Sequence, residues 1–196
     1  MTRPERLRLA TVNQRVPVWL TRRPNQMMRC VLLGAAVAAF SSTMALAQAP
    51  LSIDTPPAYV TAAGQSDLFE IQEGQIAQKR GQSAAVKKFG KRMVTDHMAS
   101  TKMVLTAAQK SGMPPMPIAL RPDQQQMMTA LQTASAGQFD QLYVQQQVQA
   151  HQEALQIQQG YAASGTDPNL KQAATKIVPV VQMHMSMLQT MGSSGQ

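Results

Sequence analysis

Apolar residues return every three or four positions along most of this chain, and nowhere do they alternate with period two, so the pattern predicts helices and no strand. Asp54-Thr55-Pro56-Pro57 offers capping side chains and prolines suited to a first turn, and a helix is expected from about Pro57 to Arg80. Gly81 breaks it, Ser83 can cap the next start, and a second long helix follows to about Ser111. The run Gly112-Met113-Pro114-Pro115-Met116-Pro117 excludes helix, because prolines remove donors and restrict the residues before them. Beyond it Asp123 is positioned to cap a short helix to about Ala134, and Gly137 separates that from a helix over about Gln138 to Ser164. Gly165 ends this element, Asp167-Pro168 restarts the chain, and a last helix reaches about Met191 with Pro179 inside it.

The inward faces follow from the same spacing. They read Val60, Ala63, Glu70, Gly74 and Ala77 in the first helix, and Val86, Gly90, Met93, His97 and Val104 in the second. The fourth carries Val144, Val148, His151 and Leu155, beside Phe139, Tyr143, Ala150, Ile157 and Tyr161. The last carries Leu170, Ala173, Ile177, Val180, His184, Met187 and Met191. Tight connections at Gly81 and Gly165 make two antiparallel pairs, and the roughly 25-residue link between them is long enough to travel the height of the molecule. The expected fold is therefore all-α: a four-helix bundle with ferritin-like wiring, its long crossover carrying one short helix.

Upstream of the bundle, Met28-Arg29 and the apolar run Cys30 to Phe40 lead to Ala45-Leu46-Ala47, a small-x-small cleavage pattern. The sequence thus predicts an upstream extension and signal peptide over 1–47, cleaved after Ala47, with the true start at Met27 or Met28. A linker over 48–55, the bundle over 56–191 and a tail over 192–196 follow. The apolar run is shorter than the ~20 residues that span a bilayer, so no transmembrane anchor is expected after cleavage, and the product is periplasmic. The formal charge of +8 changes meaning in this light, because seven of the eighteen basic residues precede position 48. The remainder is close to neutral, and its basic residues do not interleave with aromatics, which argues against nucleic acid. Cys30, the single cysteine, lies in the segment to be removed, so no disulfide or thiolate ligand is expected.

The candidate chemistry rests on three histidines, His97, His151 and His184, each on the apolar stripe of a different long helix. With a rise of ~1.5 Å per residue and crossover wiring, His97 stands near ~23 Å, Glu70 ~17 Å, His151 ~18 Å and His184 ~12 Å from the Gly81 end. Up-down-up-down wiring would instead put His184 near ~28 Å and loosen the group. Imidazoles with a carboxylate suit Zn, Cu, Fe or Mn, and the thioethers of Met93 and Met187, close in sequence to His97 and His184, would favour copper. The competing reading is that the histidines are hydrogen-bonded core residues and the methionines core filler. Asp96 can be a ligand, a partner to a histidine on a neighbouring helix, or a solvated carboxylate. No nucleophile triad, phosphate-cradling loop or cysteine nucleophile is present, so an enzyme here would be a metal-dependent one.

Glu70-Ile71-Gln72-Glu73-Gly74-Gln75-Ile76-Ala77, Met93-Val94-Thr95-Asp96-His97, Phe139-Asp140-Gln141-Leu142-Tyr143 with His151, and Pro179 with His184 together resemble the domain-of-unknown-function 4142 family over residues 56 to 191. The resemblance implies an exported bacterial protein with a ferritin-like bundle and no established activity, and places Glu70, Asp96, His97, His151 and His184 at motif positions. Ferritin-like di-iron sites use Glu-x-x-His on two helices. Here Val94 and Val181 occupy those slots, which leaves a mononuclear copper or zinc site as the better expectation than di-iron. The sequence therefore points to a periplasmic metal-binding or metal-buffering bundle, with an envelope or stress-related interaction protein carrying structural histidines as the alternative.

Overall fold

The computed structural model describes residues 53–193, so the expected signal peptide, the cleavage expected after Ala47 and Cys30 lie outside the described residues. Five helices and no strand occur among them: α1 (Pro56–Arg80), α2 (Ala84–Lys110), α3 (Pro122–Thr133), α4 (Ala136–Ser164) and α5 (Pro168–Ser193). Their boundaries follow local chemistry. Val86 N–H donates to Ser83 Oγ at the start of α2, and Leu170 N–H donates to Asp167 Oδ1 behind Pro168 at the start of α5. At the end of α2, Gly112 takes φ 72°, which lets Met113 N–H return to the Ala108 carbonyl before the proline run.

Two starts differ from expectation. Arg121, not Asp123, is the N-cap of α3, because Pro122 with its fixed φ already occupies the first turn. Gly137 does not separate the elements; it lies within the first turn of α4, and the break falls at Ala134–Ser135.

Named contacts fix the wiring. Tyr59 at the start of α1 stacks on Tyr161 near the end of α4, their centroids 4.0 Å apart. Asn169 of α5 bonds Ser111 after α2. At the opposite end Asp140 of α4 accepts both Gln82 and Ser83 N–H at 2.8 Å, which ties the α1–α2 turn to the start of α4. Thus α1 and α4 run antiparallel, as do α2 and α5, and the segment carrying α3 crosses from one end to the other. Arg80 holds that crossover by donating to the carbonyls of Leu131, Gln132 and Ala134 at the end of α3, with its guanidinium over the Phe139 ring.

The core is divided lengthwise. One apolar cluster, around Tyr59, Val104, Ile157, Tyr161, Leu170 and Ile177, fills the end where α1 begins. Another, around Val86, Phe89, Met93, Leu131, Phe139 and Leu188, fills the end where α1 finishes. Between them lies a buried polar band: Asp67, Glu70 and Glu73 from α1, His97 from α2, Gln146, Gln147 and His151 from α4, and His184 from α5.

The stripes expected on α1 and α2 are buried, whereas those of α4 and α5 shift. In α4 the buried line runs through Tyr143, Gln147, Ala150, Ala154, Ile157 and Tyr161, with Val144, Val148 and Leu155 on its edge. In α5 Val181 and Leu188 take the inward places, leaving Val180, Met187 and Met191 half-buried. No helix among the described residues is long and apolar enough to cross a membrane.

Candidate metal centre

The polar band gathers the three histidines. His97, His151 and His184 are buried, their ring centroids stand 5.3–5.6 Å apart, and one nitrogen from each lies within 4.8 Å of the other two. His151 and His184 meet directly, Nε2 to Nδ1, at 3.2 Å. Phe89 closes the apolar side, 6.2 Å from each of those rings.

Each ring is oriented by an oxygen on its other edge. His97 Nδ1 donates to Asp67 Oδ1 at 2.8 Å, and Asp67 is steadied by Thr101 Oγ1 at 3.0 Å. His151 Nδ1 donates to the Gln147 carbonyl at 2.9 Å, one helical turn back. His184 Nε2 donates to Asp96 Oδ2 at 2.9 Å. A neutral imidazole has one donor and one acceptor nitrogen, so outward bonds that consume the donors leave three bare nitrogens. These are His97 Nε2, which is buried without a partner, and the facing nitrogens of His151 and His184. Two lone pairs facing each other in a buried site repel unless a proton or a metal ion stands between them.

The spacing suits a metal ion. Three nitrogens bound to one ion at about 2.0–2.1 Å stand about 3.3–3.6 Å from one another. The His151–His184 pair is already at 3.2 Å, and closing the remaining separations from their 4.8 Å limit takes about an ångström of side-chain movement.

The charge states divide the cluster, His184 being held neutral while His97 is pushed toward the imidazolium, whose Nε2 proton an ion would have to displace. Burial, aided by the two neighbouring imidazoles, pulls His184 down to about 4 despite its bond to Asp96, so it is neutral at physiological pH. Burial works to lower His97 as well, but the Asp67 bond and charge outweigh it, with Glu70 and Asp96 adding to the upward shift. For Glu70 burial acts upward and is overcome by His151 and His97, which hold the carboxyl below its ordinary range.

The other expected site residues fall in different places. Glu70 Oε1 is 3.3 Å from His151 Nδ1, on the ring edge away from His184, and both its oxygens lack a hydrogen bond because that N–H is directed to Gln147. Asp96 is the partner of a histidine on a neighbouring helix, the second of its three expected roles. Met93 is fully buried in the apolar cluster with Phe89 and Leu188, and Met187 packs against that cluster from its edge. Three partners were missed. Asp67 lies on the same helix face as Ala63, Glu70 and Gly74, so its spacing alone placed it inward. Glu73, which accepts Gln147 Nε2 at 3.0 Å, and Gln147 itself carried no such signal, as α4 is rich in glutamine on every face.

The fold and this site define an all-helical protein with a buried three-histidine cluster. It belongs to DUF4142, a family of domains of unknown function, whose model matches residues 40–191. Comparison with the curated proteins finds no match. Among solved structures, CopM in its Cu(II)-bound form is similar at 16% identity and a TM-score of 0.63, over 72% of this chain and 98% of that one. CopM in its Cu(I)-bound form aligns at 17% identity and TM-score 0.60, over 71% and 96% of the two chains. A DUF305 fragment from Deinococcus radiodurans aligns at 14% and 0.60, over 69% and 93%. At these identities the likeness establishes the shared helical fold.

Proposed function

We propose that this protein is a periplasmic metal-binding or metal-buffering bundle in which His97 Nε2, His151 Nε2 and His184 Nδ1 hold one transition-metal ion. The convergence of three buried imidazoles, each with its N–H drawn outward by Asp67, Gln147 or Asp96, carries this reading. Such outward bonds are how proteins fix the tautomer and raise the basicity of metal-binding histidines. Glu70 supplies negative charge beside His151, its Oε1 3.3 Å from Nδ1 on the ring edge away from His184. Copper is the favoured ion over zinc: imidazole accepts both, and the similar CopM structures hold Cu(II), Cu(I) or Ag. The exported location rests on the signal pattern ending at Ala47. The carboxylate-bridged pair of a di-iron enzyme has no counterpart at Val94 and Val181, so binding rather than oxygen chemistry is proposed.

Elemental analysis of untagged protein recovered from the periplasm tests this, alongside His97→Ala, His184→Ala double-variant protein. Near-stoichiometric copper or zinc, lost in the variant, is the expected result. Protein without metal, even after loading with copper, zinc, iron and manganese, would make the histidines structural and the interaction protein the better account.

A further inference from the structure

A buried site needs a way in, and the groups around the imidazoles are unequal in this respect. Asp67 and Gln147, which bond His97 and His151, are buried. Asp96, which bonds His184, has its side chain 23% exposed and is the most open of the three groups that bond the histidines directly. His184 thus faces an exposed carboxylate with Nε2 and the interior with Nδ1.

That carboxylate is covered by one arginine. Arg92, a turn earlier on α2, donates Nε to the same Asp96 Oδ2 at 3.1 Å, and its Nη2 lies 3.5 Å from Met183 Sδ on α5. Met183 is one of the exposed large hydrophobic residues, 37% accessible, directly before His184 in sequence. A thioether at the surface, a guanidinium bridging it to a carboxylate, and a buried imidazole behind that carboxylate form a continuous line of contacts from solvent to the cluster.

We propose that Met183, Arg92 and Asp96 are the entrance for a soft, thiophilic cation such as Cu(I), with Met183 as its outer docking atom and Arg92 as a displaceable plug. This rests on the reading that the histidine cluster binds metal. Thioether sulfur prefers Cu(I) to harder divalent ions, so Met183 selects at the door rather than at the buried nitrogens. The arriving cation repels the guanidinium and replaces it against Asp96, and the exposed Arg92–Asp96 pair is weak enough to open. His184 then relays the ion inward by turning its ring between Asp96 and His151. Met183 and Arg92 act on the rate and selectivity of loading and are positioning residues, not ligands of the final site.

The test is the rate at which the full protein takes Cu(I) from a chromophoric chelator without oxygen, compared with its rate of Zn(II) uptake. Met183→Leu is expected to slow Cu(I) loading roughly threefold to tenfold and leave Zn(II) loading unchanged. Arg92→Gln is expected to speed Cu(I) loading and release together by roughly threefold to tenfold, so that Kd moves less than either rate, while Arg92→Lys stays nearer the wild type. Both side chains are exposed, and unchanged unfolding midpoints confirm that the variants fold. Stoichiometric binding with all rates within about twofold of wild type would overturn the entrance while leaving the site standing. Equal slowing of Cu(I) and Zn(II) by Met183→Leu would overturn the thioether's role. A wild-type protein that takes neither ion would remove the parent reading as well.

Discussion

The residue that most tests the physics of the polar band is Glu73. Burial, and then the charge of Glu70, raise its carboxyl to about 9 against only one opposing bond from Gln147, so it stays protonated at neutral pH. Between its ordinary value of 4.5 and about 9 the folded chain keeps a proton the unfolded chain has lost. This stabilisation is complete below the lower value and disappears as pH rises through the upper one, at up to ~1.4 kcal/mol per pH unit. Glu73→Gln keeps the shape without the proton. In metal-free protein, urea unfolding from about pH 5 to about pH 8 is expected to show wild-type stability declining relative to the variant. Parallel profiles would mean that Glu73 is ionised in the fold.

Residue by residue, the histidines were legible because a polar side chain on an apolar stripe stands out. Asp67 was legible in principle from spacing, but the surrounding Ser66 and Gln65 blur the face. The carbonyl of Gln147 was beyond reach, since any residue in a helix presents the same group four positions before a histidine.

At the level of elements, the close approach of α1 and α2 sets the distance between Asp67 and His97. A Cβ at Gly90 would stand 2.8 Å from both the Gly74 carbonyl oxygen and Ala77 Cβ, and one at Gly74 would stand 2.6 Å from Gly90 O. Gly90→Ala gains up to ~1 kcal/mol of helix propensity but forces the helices apart, and overpacking of this kind costs about 1–3 kcal/mol. A net loss of about 1–2 kcal/mol in urea unfolding is expected. Stability equal to or above that of the wild type would show that the contact is looser than this geometry.

Helix existence and the crossover were readable from proline and glycine punctuation, and the two terminal corrections have local causes. Pro122 moves the cap of α3 back to Arg121, and the exposed Gly137 simply continues the helix. The shifted faces of α4 and α5 reflect heavy glutamine content and methionine on several sides, which dilute the periodic signal.

For the molecule as a whole, two apolar clusters bracket one polar band, and the crossover wiring brings α1, α2, α4 and α5 together at that height. The helical rise and that wiring put the histidines in the middle third of the bundle, and the structure adds that their rings meet there and which ring edges face inward. Asp140 and Arg80 hold the start of α4 in register with the α1–α2 turn, so distant parts of the chain fix the depth at which His151 meets His184. X-ray absorption at the edge of the bound metal tests the resulting claim most directly. The account predicts about three imidazole nitrogens at about 2.0 Å from one ion, with their signature lost in His97→Ala, His184→Ala protein. A shell of oxygen or sulfur without imidazole, or one unchanged by that double substitution, would contradict it.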